Sequence, residues 1–138
     1  MAAVSSTRAS IRFVGEDLLP EDVTALLGTA PDFSCKKGDP WLLRGKLLVR
    51  RQGVWSVRAT EAAPGDLDRQ IEMLLARMSN DLTVWRDLCG RFRADVFCGV
   101  FIATGNEGLS LDPVTLSKLA ERGLTLGLDI YAAPELQD

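Results

Sequence analysis

Residues 95–103 read DVFCGVFIA, apolar at nearly every position. A surface strand would alternate apolar with polar side chains, so this run predicts a central strand with both faces covered. The loop GNEGLSLDP (105–113) follows, and then the period changes. Asp112 suits an N-cap and Pro113 a first helical position. Val114, Leu116, Leu119 and Ala120 are the expected inner face of that helix, and Gly123 its stop. The last run, LTLGLDIYA (124–132), alternates. Leu124, Leu126, Leu128 and Ile130 share one face, and Thr125, Gly127, Asp129 and Tyr131 the other. Strand, helix, strand is therefore the plan of the carboxy-terminal third.

The preceding region is helical in period. Leu67, Ile71, Leu74, Leu75 and Met78 fall on one stripe, which Leu82, Trp85, Leu88 and Cys89 continue. Ser79 and Asn80 divide it into either one bent helix or two, with Asp66 as N-cap and Gly90 as the end. Before it, KLLVRRQGVWSVRAT (46–60) shows two alternating runs about Gln52 and Gly53, a predicted hairpin. Residues 31–45 are rich in turn formers, with a short strand around Phe33 to Lys36. At the amino end ASIRFV (9–14) alternates as a half-buried strand, and a short helix starts at Pro20, buries Val23, Leu26 and Leu27, and closes at Gly28. The order is β-α-(β)-β-β-α-β-α-β. It predicts an α+β domain with a mixed, mainly antiparallel sheet and helices packed on one face, compatible with a ferredoxin-like core. At 138 residues the chain fits one domain, with an ordered core from about residue 9 to 132.

Composition excludes several roles. Sixteen basic against nineteen acidic side chains give a net charge of −3. A nucleic-acid binder needs a basic surface to displace counterions, so that role is not expected, although Arg50, Arg51 and Arg58 are candidates for a local patch. No apolar run is long enough to cross a bilayer, and the amino terminus lacks the core of a secretory signal. Cys35, Cys89 and Cys98 form no CxxC pair, which predicts neither a zinc site nor a disulfide framework. Reduced thiols point to the cytoplasm.

Candidate chemistry is sparse. GNEGLSLDP lacks the GxGxxG order and a following Lys–Ser or Lys–Thr pair. Asp112 is expected to occupy the helix amides that a phosphate would need, and Glu107 adds repulsion. With no histidine in the chain, Ser–His and Cys–His nucleophiles are excluded. Neither a metal nor a cofactor is expected. The residues singled out for ligand or partner contact are Trp41, in a turn-rich segment, with Asp39, Glu107, Asp129 and Tyr131. Asp129 lies inside a strand opposite the leucines, on a face that is either solvated or supplies it with an arginine.

Together, LPEDVTALLG, KKGDP, GVWSV and GLSLDPVTLSKLAERGLTLGLDIY resemble the bacterial family known as domain of unknown function 4279. The likeness covers about residues 9 to 132. It implies a small cytoplasmic α+β domain and transfers no catalytic residues. Two functions stand as expectations. The first is a non-catalytic protein-interaction or ligand-binding module, an immunity-type protein or a homodimer among its forms. The alternative is a carboxylate-based, metal-assisted enzyme that brings Glu107, Asp112 and Asp129 together.

Overall fold

The computed structural model describes residues 2–132. Ala2–Ala3 (β1) leads into Ser6–Gly15 (β2), Pro20–Leu27 (α1), Phe33–Cys35 (β3), Pro40–Leu43 (β4), Lys46–Val49 (β5) and Gly53–Arg58 (β6). Leu67–Ala76 (α2), Leu82–Arg91 (α3), Arg93–Ile102 (β7), Glu107–Gly108 (β8), Pro113–Arg122 (α4) and Thr125–Ala132 (β9) complete the chain.

Five strands make the main sheet in the order β3-β6-β2-β7-β9. The first four are antiparallel neighbours, and β9 runs parallel to β7 at the edge. Counting only β2, β3, β6 and β7, the spatial order is second, third, first, fourth, with helices after the first and third. That is the split βαβ arrangement of a ferredoxin-like core. The α4–β9 unit extends it by a parallel crossover. The expected α+β class is therefore observed, and the expected element order holds with β1, β4 and β8 added and the central helical stretch divided into α2 and α3.

Alternation decides which face is dry. In β2, Thr7, Ala9, Ile11 and Phe13 are buried, as are Trp55 and Val57 of β6 and Ala94, Val96, Cys98 and Val100 of β7. Register aligns them: Ile11 lies between Val57 and Val96, and Phe13 between Trp55 and Ala94. The helices cover this face with Val23, Leu27, Leu67, Ile71, Leu74, Trp85, Leu88 and Leu119. Phe13 packs edge-on to Trp55 with centroids 5.8 Å apart and lies 6.0 Å from Trp85. Trp55 Nε1 donates to Thr24 Oγ1 at 3.0 Å and Trp85 Nε1 to the Ser79 carbonyl at 2.6 Å, so neither indole N–H is left unpaired.

Several local expectations need correction. The hairpin is not β5–β6. Lys46–Val49 pairs with Pro40–Leu43, while β6 lies between β2 and β3. The turn is Arg44–Gly45, both left-handed (φ 50° and 79°), the conformation of a two-residue type I′ loop. Trp41 thus stands in a strand rather than a turn. Of the two forms open for the helical stretch, two helices are found, as one alternative held; α3 runs through Gly90 to Arg91, with Asp81 capping its start. Strand β7 is interior, but only one of its faces lies under helices. Helix α4 buries Thr115, Leu119 and Arg122; Val114, Leu116 and Ala120 are exposed. The predicted stripe was rotated because Thr115 and the Arg122 stem pack inward, and a polar residue or a long charged one carries no hydrophobic signal.

A buried polar clamp joins β2 to the helical layer. Thr7 Oγ1 donates to Gln70 Oε1 at 2.6 Å and accepts from the Asp66 N–H at 2.9 Å. Gln70 Nε2 donates to the Thr7 and Thr60 carbonyls at 2.8 and 2.9 Å. Replacing the amide side chain with a shorter alkyl one that cannot hydrogen-bond leaves these partners buried and unpaired. Gln70→Leu is expected to lose about 2 kcal/mol of stability, measured as a lower denaturant midpoint with an unchanged slope. A midpoint equal to that of the parent protein would show that the clamp is dispensable.

Candidate functional site

Of the five residues singled out in the sequence, two serve the backbone. The Asp39 carboxylate accepts from the Lys36 N–H at 2.8 Å and closes the turn before β4. Glu107 turns back onto the main chain near the surface: Oε1 accepts from the Ala103 N–H at 3.0 Å and from the Ser5 N–H and hydroxyl at 3.2 Å, and Oε2 accepts from Thr104 Oγ1 at 3.1 Å. The Ala103 amide is the largest influence holding this carboxyl below the usual 4.5; partial desolvation opposes it, and the Thr104 and Ser5 donors reinforce it. Glu107 therefore ties the amino terminus to the loop after β7.

Asp112 stands at the N-cap position of α4 as expected, but its side chain makes no bond to the helix amides. Instead the Asp112 N–H donates to the Asp68 carboxylate, at 3.0 and 3.2 Å. Asp68 thus brings a second carboxylate to that helix start from α2, a partner that local sequence does not reveal. Glu107, Asp112 and Asp129 do not assemble, and no group of three or more acidic, cysteine or histidine side chains among the described residues is placed to hold a metal. Burial pushes the Cys89 thiol up to about 11 and the Cys98 thiol up to about 12, so both behave as apolar side chains at neutral pH.

Trp41, Asp129 and Tyr131 belong to two surfaces. One is the β4–β5 arm. Trp41 pairs across the ladder with Leu48 on the side facing the body, while Pro40, Leu42, Leu47 and Val49 lie on the other side. Leu42, Leu47 and Val49 are 71%, 72% and 61% exposed. Arg50 is the joint. Its backbone bonds to Gly38 and Asp39 at 2.8 Å, and its guanidinium lies 4.1 Å from the Trp41 ring centre and 5.4 Å from that of Phe33 at the sheet edge. Between arm and body runs an open groove of 920 Å³, with Glu16, Lys37, Trp41, Leu48 and Val54 among its walls.

The second surface is the sheet face away from the helices, where register builds rows of side chains. One row is Ser56, Arg12, Asp95 and Thr125; the next is Arg58, Ser10, Phe97 and Gly127; a third holds Arg8, Gly99 and Asp129. Arg12 grips Asp95 through two bonds, Nε to Oδ1 at 2.9 Å and Nη2 to Oδ2 at 2.7 Å, and stands 4.3 Å over the Phe97 ring. The Asp95 hydrogen bond, more than any other influence, raises the Arg12 pKa. Arg8 stands 5.3 Å over Phe101, and Tyr131 stacks on Phe101 at 5.0 Å with 13° between the rings. Asp129 is exposed and accepts from the Tyr131 hydroxyl at 3.3 Å. The face is solvated, as one of the two sequence alternatives held.

Sequence reading missed Leu42 and Leu47, and also the grouping of Arg8, Phe97 and Phe101. The signal for the group was parity. Arg8, Ser10 and Arg12 alternate with the core residues of β2, so anything opposite them on β7 shares their face.

Glu107 gives this region a pH signature. Because its folded value is depressed, its contribution to stability is present above the ordinary 4.5 and is lost as pH falls through the folded value. Glu107→Gln is expected to melt lower than the parent protein at pH 7, with the gap closing below about pH 4.5. A constant difference across that range in calorimetric scans would contradict the assignment.

No curated protein and no solved structure matches this chain. No helix among the described residues is long and apolar enough to cross a membrane. One family does match, over residues 5–133, nearly the whole chain. The protein belongs to the family described as domain of unknown function 4279.

Proposed function

We propose that this chain is a non-catalytic, cytoplasmic protein-interaction module whose β4–β5 arm grips an acidic partner protein. The observation that carries the reading is the arm's outer face, where Leu42, Leu47 and Val49 stand in solvent. A two-stranded hairpin is marginal alone in water, and this one holds to the body mainly at Arg50. Apolar side chains presented on such a support gain most when another surface covers them.

Charge supports the nature of the partner. Residues 36–51 hold six of the sixteen basic side chains and one of the nineteen acidic ones, a local charge of +5. The other residues, ten basic and eighteen acidic, carry −8. Opposed fields of this kind steer an acidic partner to the arm and away from the rest of the body. An immunity-type role is the case in which that partner is a toxin. Homodimerisation is the case in which a second copy supplies the acidic surface. The carboxylate-enzyme alternative gains nothing from the separate placements of Glu107, Asp112 and Asp129.

The test compares the parent protein with a Leu42→Ser/Leu47→Ser variant and a Lys46→Glu variant in affinity capture from the source cells at rising salt. Retained proteins would be identified by mass and isoelectric point. The reading expects an acidic protein held by the parent, reduced by Lys46→Glu and by salt, and lost with the double variant. Identical captures by all three, or a dimer in light scattering that the double variant dissolves, would remove the acidic heterologous partner.

A further inference from the structure

The open sheet face contains a cleft that neither the core nor the arm explains. It has a volume of 490 Å³, within the usual range for small-molecule sites. Its floor runs over Ser10 and Gly99; Phe97, Phe101 and Tyr131 line one side, and Arg8, Arg58 and the Glu61 carboxylate the other.

Glycine inside a strand weakens it, and marks a bulge, a bend or a close approach by something else. There is no bulge at Gly99: residues 93–101 of β7 pair without interruption with β2, and residues 95–102 with β9. A Cβ at Gly99 would come within 3.3 Å of the Phe101 ring, so the glycine lets that ring recline across the strand and opens the space beside it. Gly127, diagonal to it on the same face, would meet nothing closer than 3.9 Å with a Cβ. Gly127 lies outside the cleft lining, so Gly99 alone lowers the floor.

The cations differ in how far they are committed. Arg12 is held by Asp95. Arg8 reaches Glu61 only at 3.6 Å, with both side chains about half exposed or more, a pair that contributes little. Arg58 makes no ion pair among the described residues, while its backbone N–H is fixed by Asp32 at 2.7 Å. An anchored residue with an uncommitted guanidinium thus presents a planar cationic fork beside a row of rings in which Tyr131 is half exposed and Phe101 lies between Tyr131 and Arg8.

We infer that this cleft binds a small aromatic carboxylate, its ring against the half-exposed Tyr131 and beside Phe97, and its carboxylate held by Arg58 with Arg8. Guanidinium and carboxylate match as forks, and the rings supply stacking that a non-planar acid does not use. A single-stranded nucleic acid would also meet rings and arginines here. The charge of −8 outside the arm opposes a polyanion, whereas one carboxylate needs only the local pair.

The experiment titrates the intact chain with naphthalene-2-carboxylate, following backbone amide shifts by NMR. Its neutral isostere 2-naphthylmethanol and the non-planar cyclohexanecarboxylate are run in parallel. Shifts should centre on Ser10, Phe97 and Gly99. The neutral isostere should bind about tenfold more weakly, and Arg58→Gln should weaken the acid by a similar factor. Gly99→Ala, which adds a methyl group to the floor, should weaken the acid while the far-ultraviolet circular dichroism stays the same. The Leu42→Ser/Leu47→Ser arm variant should bind the acid as the parent does, which separates this site from the proposed partner surface. Equal affinity for acid and isostere, equal affinity in Arg58→Gln, or shifts centred on Trp41 and Leu48 would overturn the inference. So would a short single-stranded RNA that displaces the acid from the same amides.

Discussion

The register of β2 governs everything else in this protein. The strand is paired on both sides, with β6 and with β7, and its side chains alternate without a break between core and open face. A slip of one residue would put Arg8, Ser10 and Arg12 beneath the helices and Ile11 and Phe13 in water. The Thr7–Gln70 clamp opposes such a slip. It satisfies a buried hydroxyl and a buried amide only when Thr7 faces α2, and it also holds the Asp66 N–H at the start of that helix. A network of this kind contributes specificity because each member would be orphaned in any other register.

How much of this was legible in the sequence follows from range. Alternation and helical period are local, so β2, α1, α2, β7, α4 and β9 could all be placed, together with the Asp66 cap and the glycine stops at Gly28 and Gly123. Pairing is not local. The run KLLVRRQGVWSV alternates on both sides of Gln52–Gly53, and nothing within it says that β5 turns back to β4. The informative dipeptide was Arg44–Gly45, a weaker form of the Asn-Gly signal because arginine seldom takes positive φ. Similarly, the apolar run at 95–103 identifies an interior strand. It does not reveal that Phe97 and Phe101 are covered by arginines and a tyrosine rather than by a helix.

The site was less legible still, and for a related reason. Asp39 and Glu107 attracted notice as isolated carboxylates, yet both are consumed by backbone amides, in bonds that stretch from three residues along the chain to more than a hundred. Asp112 holds the N-cap position, but the carboxylate that takes up a free N–H there is that of Asp68, forty-four residues away. Trp41 and Tyr131 are amphipathic rings that the fold leaves partly exposed, Trp41 against Arg50 at the base of the arm and Tyr131 stacked on Phe101. The arginines that accompany them could be grouped only once register was known.

The two candidate surfaces differ in what each can accept. The open face carries Arg8, Arg12, Arg58, Glu61, Asp95 and Asp129 on or beside it. Covering it with a broad apolar surface would strip water from charges whose pairs are partly open, at a cost of several kcal/mol per unpaired ion. A small ligand avoids that by filling the glycine-floored cleft and leaving the Arg12–Asp95 pair in contact with water. The arm has the opposite character, since its outer face offers leucine and valine with the charges at its base and tip. Burial there removes apolar area from water and meets few ions, which suits a protein surface. The division follows from one topological fact: β4 and β5 pair with each other and not with the sheet, so their apolar side chains are excluded from the core that the other strands share.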